Sequence, residues 1–398
     1  MVTELYTRLV HNYDVWTSSH YAANHGCLWQ YADRDGQENS IGGDGCRPLI
    51  NAAMVGEARA LASIAAIASD AHGGRRFAVE EVRWQRALLS LWDASLRFFV
   101  TRAVDKPESV PPNKWSEKQA QRNRELNDGR CPPRWATGQL VTSRELQGLS
   151  SPWYFGAVPM GNASTYAAAW GRLFDDDGFA AKWGPRTAER RDPCYNFTTN
   201  HECSWNGPTW PFETSKVLTG ALNLLHDYPS NTGGIDATNL WTLISQYARL
   251  HSHTSAVNAS DWLLDGVGHA WIGEDLHPDD GFWLARAIMY AAGNSGRNRG
   301  HRYLHSTFVD VVVGFLGVRP RSDRTLVVQP LLPADQLGVR YFALDGLRIK
   351  GRDVCVAFDR DGTRYKLNAS PGNDLHVLVD SVLTASGTLG GTPLVVTL

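Results

Sequence analysis

The stretch His201-Glu202-Cys203-Ser204-Trp205-Asn206-Gly207-Pro208-Thr209-Trp210-Pro211-Phe212-Glu213 sets the reading of the whole chain. Gly207-Pro208 and Pro211 interrupt any preceding element. A helical pattern then begins, with Val217, Leu218, Ala221, Leu222 and Leu225 on one face. Trp205 and Trp210 flank the Asn206 amide at this helix entrance. Two readings fit such a bend. One is a packed, tryptophan-rich loop between helices. The other is a sugar site, because flat indole faces and an amide suit C–H faces and hydroxyl edges.

Working outward, further helical patterns cover residues 3–12, 48–67 (Leu49, Ala52, Ala53, Gly56, Ala60, Ile64, Ile67), 79–101, 137–149, 163–174, 212–226, 237–252, 281–293 and 301–316. Pro48 stands where a helix accepts proline as its first residue. A proline-rich excursion, 105–135, contains a possible surface helix over 114–127. Long polar loops, 24–47 and 175–204, alternate with short turns, which suggests helical hairpins in a ring with the long loops gathered at one end. After Pro320 the pattern changes to short runs, 325–328, 341–343, 347–349, 354–358, 365–367, 375–379 and 394–396. These predict a small antiparallel β domain. The expected domains are therefore 1–320, helical, and 321–398, β.

The chain has 398 residues, 43% of them hydrophobic and 20% charged, with a net charge of -2. The balance has no basic stripe, so nucleic acid and anionic membranes are not expected partners. No apolar run of about 18 residues occurs, so no membrane span is expected. The N-terminus lacks the pattern of a signal peptide. Four sequons, at Asn162, Asn196, Asn258 and Asn368, hint at secretion only weakly. Of six cysteines, Cys194 and Cys203 are spaced to close a small loop, and free buried thiols are an equal alternative. The absence of a Cys-x-x-Cys pair argues against structural zinc.

Two acidic sites lie in loops beside aromatic residues. One runs from Asp33 to Asp44, with Asp35 and Glu38 inside it and Arg47 just beyond. The other is Trp271-Ile272-Gly273-Glu274-Asp275-Leu276-His277-Pro278-Asp279-Asp280-Gly281, in which Gly281 is read as opening a helix. Glycoside hydrolysis needs one carboxyl group on each side of the scissile bond, drawn from distant parts of the chain. The plain alternative is that both acids are solvated loop residues, capping helices or pairing with Arg47. His251/His253 and His301/His305 lack an acidic third ligand for a metal. Asp175-Asp176-Asp177-Gly178 does not have the spacing of an EF-hand. No cofactor or metal is expected.

Together these motifs resemble the mannosylglycerate hydrolase-like branch of the six-hairpin glycosidases, related to glycoside hydrolase family 63. Gly36-Gln37-Glu38-Asn39-Ser40 resembles that family's Gly-Met-Asp-Asn-Ser-Pro-Arg segment, which carries the general acid. Trp205-Asn206-Gly207-Pro208-Thr209-Trp210 resembles its Tyr/Trp-Arg-Gly-Pro-x-Trp segment, which lines the sugar subsite, with asparagine for arginine. Glu274-Asp275-Leu276-His277-Pro278-Asp279-Asp280-Gly281 resembles its Glu-Asn-Tyr-Asp-Pro-x-x-Gly segment, which carries the base. The resemblance implies a mainly α protein built on an (α/α)6 barrel, here short of its first helices, with a C-terminal antiparallel β domain. It implies inverting hydrolysis of an α-linked glucoside or mannoside without a cofactor. Glu38 is the implied acid, with Asp35 as the alternative, and Glu274 the implied base. Trp205, Asn206, Trp210, Arg47, Asp35 and Trp271 would bind the sugar. A catalytically inactive carbohydrate-binding protein on the same barrel is the rival reading.

Overall fold

The computed structural model describes residues 2–114, 118, 135–196, 204–251, 272–285, 288, 307–367 and 372–398. It divides into two compact units. The first comprises 1–235 and 245–306, the second 236–244 and 307–398.

The first unit is built on helices. Val2–Ser19 leads into a three-stranded antiparallel sheet of β1 (Tyr21–Ala22), β2 (Cys27–Gln30) and β3 (Gly45–Cys46). Pro48–Ile67 follows directly, with Pro48 at its first turn and Arg47 in extended conformation before it. By length and composition this helix is apolar enough to cross a membrane. Here Ala52, Val55, Ala58 and Ala65 are buried, and it packs against Val2–Ser19, Ala71–Leu89 and Leu146–Tyr154. Its small residues permit that approach, and at Gly56 an added Cβ would come 3.1 Å from the Phe155 ring. The Asp70 side chain caps Ala71–Leu89 by accepting from the Gly73 amide at 2.9 Å.

Several sequence expectations shift. The first helix extends well beyond residue 12. The helix expected over 79–101 ends at Leu89 and gives way to a hairpin of β4 (Trp92–Asp93) and β5 (Phe98–Phe99). The Asp93 carboxylate accepts from the Ser95 and Leu96 amides and Arg97 adopts φ +51°, so local turn chemistry overrides the apolar spacing. The helix expected over 137–149 instead occupies Leu146–Tyr154, because the residues before it pair as bridges with Arg102 and Ala188. Residues 163–174 form a short α-helix, Ala163–Ala167, running into a 3-10 helix, Ala168–Phe174. Gly281 does not open a helix. It takes φ +81° in a tight hairpin, where the His277 amide donates to the Phe282 carbonyl at 2.7 Å. An added Cβ there would meet the Trp183 indole at 2.4 Å. The helices expected over 114–127 and 281–293 lie largely outside the described residues; of that expected over 301–316, residues 301–306 lie outside them and Phe308–Phe315 is helical.

In the second unit, Phe308–Phe315 leads into two antiparallel sheets. One has the order β12 (Leu394–Thr397), β7 (Thr325–Val328), β6 (Val318–Pro320). The other has the order β11 (Val382–Gly387), β10 (Leu375–Val379), β9 (Arg352–Asp359), β8 (Tyr341–Ile349). Both contribute to one core that includes Leu326, Val328, Val356, Phe358, Val377 and Val396. The runs 341–343 and 347–349 are one strand, with an irregularity between Leu344 and Leu347. Residues 365–367 form no strand, because the Asp359 carboxylate takes the Arg364 and Tyr365 amides at 2.9 and 2.7 Å. Val382–Gly387 escaped the sequence reading because its second half, Ala385-Ser386-Gly387, carries little β propensity.

Candidate active site

The acidic loop between β2 and β3 is wound around one guanidinium. It starts with a 3-10 turn, Ala32–Asp35, closed by Gly36 in the left-handed conformation, φ +75°. Arg47 is fully buried beneath it. Its Nε donates to Asp35 Oδ2 at 2.6 Å and its Nη2 to Gln37 Oε1 at 2.6 Å. Its Nη1 donates to Ser40 Oγ at 3.0 Å and to the Gly43 carbonyl at 2.5 Å. Glu145, 3.5 Å from Nη2, accepts from the Ser40 hydroxyl and from the Gly42 amide. Arg47 is thereby committed to the loop, and in this structure it braces the loop rather than offering a donor to a sugar hydroxyl. A disulfide between Cys27 and Cys46 closes the base of the loop. Cys194 is also disulfide-bonded, with its partner outside the described residues, as Cys203 is.

Asp35 and Glu38 differ in setting. The Asp35 side chain is only 4% exposed and is ion-paired to Arg47. Burial pushes its carboxyl up to about 7, against the pull of Arg47. Its Oδ1 has no hydrogen-bond partner. Glu38 is partly exposed and keeps access to the surface of the loop. Its carboxyl is also raised, first by burial and then by the negative charges of Asp33 and Glu274. Its own amide and the Trp205 indole N–H oppose the rise. That indole nitrogen is directed at the carboxylate without full hydrogen-bond geometry. Glu38 and Glu274 are thus close enough to interact electrostatically, although 236 positions apart in sequence.

The central stretch holds both acidic loops. The Trp205 amide donates to the Glu38 carbonyl at 2.9 Å. Four residues on, Thr209 and Leu276 exchange two backbone hydrogen bonds, each 3.0 Å, fixing the Glu274 loop to the same segment. Pro211 then starts the helix Pro211–Asp227. Trp205 and Trp210 stack on each other, ring centroids 4.4 Å apart and 18° from parallel, and both are buried. Asn206 between them is 1% exposed, and neither its Oδ1 nor its Nδ2 has a partner among the described residues. Asp275 is buried beside Glu274, with Oδ1 accepting from the Ala285 amide at 3.0 Å. Trp271 lies outside the described residues.

Three contributors escaped the sequence reading. Glu145 and Arg186 are buried, and Glu213 is buried against Ser150 Oγ at 2.5 Å and Lys216 Nζ at 2.5 Å. Arg186 and Glu145 lie in segments read as loop or helix surface, where composition predicts solvated charges. Glu213, at the end of the quoted stretch, stands in the first turn of Pro211–Asp227. Among the described residues no group of three His, Cys, Asp or Glu side chains is placed to hold a metal ion. The Asp175 carboxylate, part of the acidic run, is taken by Arg172 and Arg191.

Two carboxyl groups drawn from distant parts of the chain, as Glu38 and Glu274 are, are what glycoside hydrolysis requires. Residues 1–306 match the mannosylglycerate hydrolase MGH1-like glycoside hydrolase domain, and the chain belongs to that family. Among solved structures it resembles a protein described as a sialidase, with a TM-score of 0.77 and 27% identity. That match covers 98% of this chain and 30% of the other, so the chain spans less than a third of that relative's length. A GH63 mannosylglycerate hydrolase from Thermus thermophilus, in complex with glucose, aligns at a TM-score of 0.47 and 14% identity, over 73% of this chain and 68% of its own. No curated protein matches significantly.

Proposed function

We propose that the chain is an inverting glycosidase acting on α-linked glucosides or mannosides. In this reading Glu38 protonates the leaving oxygen and Glu274 takes a proton from the water attacking the opposite face. Burial and two neighbouring carboxylates favour the protonated form of Glu38, which a general acid needs near neutral pH. Asp35 is less suited, because Arg47 occupies one of its oxygens and draws it into the bracing of the loop. Asn206 supplies hydrogen bonds to sugar hydroxyls, with Trp205, Trp210 and Trp271 forming apolar walls. Arg47 is reassigned from binding sugar to bracing the acid loop. The helical segments are taken as part of an (α/α)6 barrel over 1–320, followed by the β domain 321–398.

The observation that carries the proposal is the attachment of the Glu38 and Glu274 loops to one segment, Trp205–Thr209. Inversion calls for carboxyl groups roughly 6.5–9.5 Å apart, leaving room for a water. The test is a panel of aryl α- and β-glycosides and natural disaccharides, followed by proton NMR, with Glu274→Gln in parallel. Release of the inverted anomer, lost in the variant, supports the proposal. Sugar binding without turnover on any substrate would instead favour the inactive carbohydrate-binding protein.

A further inference from the structure

Arg186 is 2% exposed, yet one of its guanidinium nitrogens has no partner among the described residues. Nε donates to Tyr195 Oη at 3.2 Å and Nη2 to Asp279 Oδ1 at 2.6 Å, but Nη1 is buried with no acceptor among them. A charged donor removed from water without an acceptor is costly, so such a group normally awaits a ligand or a water. The same neighbourhood holds a second unpaired group, the Asn206 amide, open at both ends.

The two are tied together through backbone. Arg186 bridges to Thr209, and the Thr187 hydroxyl accepts from the Gly207 amide at 3.2 Å. The Tyr195 ring lies so near Gly207 that an added Cβ would sit 2.9 Å from it. Through Asp279, Arg186 also grips the loop that carries Glu274. Asn206 therefore lies on the segment linking the two acidic loops, and Arg186 on the stretch that pairs with that segment at Thr209.

We infer that Arg186 is a specificity-determining residue that, with Asn206, binds two adjacent hydroxyls of the sugar. The donor set favours a diol over a carboxylate. The Asn206 Oδ1 needs a donor, which a hydroxyl offers and a carboxylate does not. Asp279 already offsets part of the Arg186 charge, so no full unpaired positive charge is left for an anion. This inference rests on the glycosidase reading above and adds a residue that the sequence motifs do not contain.

The test measures binding of methyl α-D-glucoside, methyl α-D-mannoside and their monodeoxy analogues by titration calorimetry. The proteins are Glu274→Gln and Glu274→Gln/Arg186→Gln. Removal of either of two neighbouring hydroxyls should weaken binding to Glu274→Gln by about tenfold or more. In the double variant the penalty for the hydroxyl facing Arg186 should shrink to less than about twofold, by the same reasoning. A purely structural role would lower affinity for all analogues alike and leave their ratios unchanged, which overturns the inference. Arg186→Lys, which keeps a charge for Asp279 but loses the planar fork, guards against a folding defect and should also flatten the ratios. If neither methyl glycoside binds, the inference is overturned. If the aryl panel also shows no turnover, the glycosidase reading falls with it. If turnover persists, that reading stands.

Discussion

The Trp205 amide donates to the Glu38 carbonyl at 2.9 Å, so the residue beside Asn206 also fixes the backbone of the proposed acid. Its indole nitrogen is directed at the Glu38 carboxylate as well. One tryptophan thus couples the Asn206 segment to the position of Glu38 and to its proton affinity.

If Glu38 is the acid, Glu38→Gln should lower kcat by about 10²- to 10⁴-fold on substrates with poor leaving groups. The loss should be much smaller on dinitrophenyl glycosides, whose leaving group departs without a proton. Steady-state kinetics on both substrate types checks this. Equal losses on both would remove Glu38 from the acid role and return attention to Asp35.

The pH profile offers a separate check. Asp33 and Glu274 both raise the Glu38 pKa, so removing either charge should lower it. An acid catalyst must hold its proton, so activity falls as pH rises through its pKa. Asp33→Asn should therefore shift the alkaline limb of kcat/KM to lower pH. Asp33 Oδ2 accepts from Asn113 Nδ2 at 2.8 Å, and the near-isosteric asparagine keeps the shape of that contact. An unmoved limb, or one that moves upward, would contradict the electrostatic account.

Asp35 and Arg47 make a prediction about stability. The Asp35 carboxyl is raised from 3.8 to about 7 on folding. The native state then holds its proton more tightly than the unfolded chain. This contribution stabilises the fold fully below about pH 3.8 and fades as pH rises to about 7. Denaturant unfolding of wild type and Asp35→Asn from pH 4 to 8 should show a downward slope in the former that is reduced in the latter. At high pH Arg47 would lose one of its two buried counter-charges in the variant and keep Glu145, so the cost should fall below the roughly 3–5 kcal/mol of a buried charge left with no partner. Parallel pH slopes would sink the assignment.

Much of this was legible in the sequence where pattern and punctuation agree. Pro48 and Pro211 start helices as read, and the β unit follows the alternating runs near 325–328, 354–358 and 375–379. The acidic and aromatic motifs are brought together as Glu38, Trp205 and Leu276 show. Where short-range turns decided the matter, apolar spacing misled, as at Asp93 and Arg97, where a hairpin replaced the end of a helix. Burial of charge was equally hidden. Nothing in the one-dimensional pattern distinguishes Arg47, fully enclosed by its own loop, from an arginine in solvent. The Cys27–Cys46 pairing depends on the pairing of β2 with β3, a tertiary fact that cysteine spacing does not encode.

That disulfide carries the last prediction. Cys27 and Cys46 are fully buried, separated by 19 residues, and the segment between them contains Asp33, Asp35 and Glu38. Cross-linking a loop of that length restricts the unfolded chain by about 3 kcal/mol in the chain-entropy account. It also fixes the two ends of the acid loop beside Arg47, whose hydrogen bonds depend on the position of Cys46. The Cys27→Ser/Cys46→Ser variant should unfold at lower denaturant concentration. Below its transition it should also show a reduced kcat, because the loop loses one anchor while the rest of the helical unit stays packed. The wild type in a strong reductant able to reach the buried bond should lose at least as much, because the Cys194 disulfide would be reduced as well. Unchanged stability and unchanged kcat in the variant would mean that β-strand pairing and Arg47 alone hold the loop.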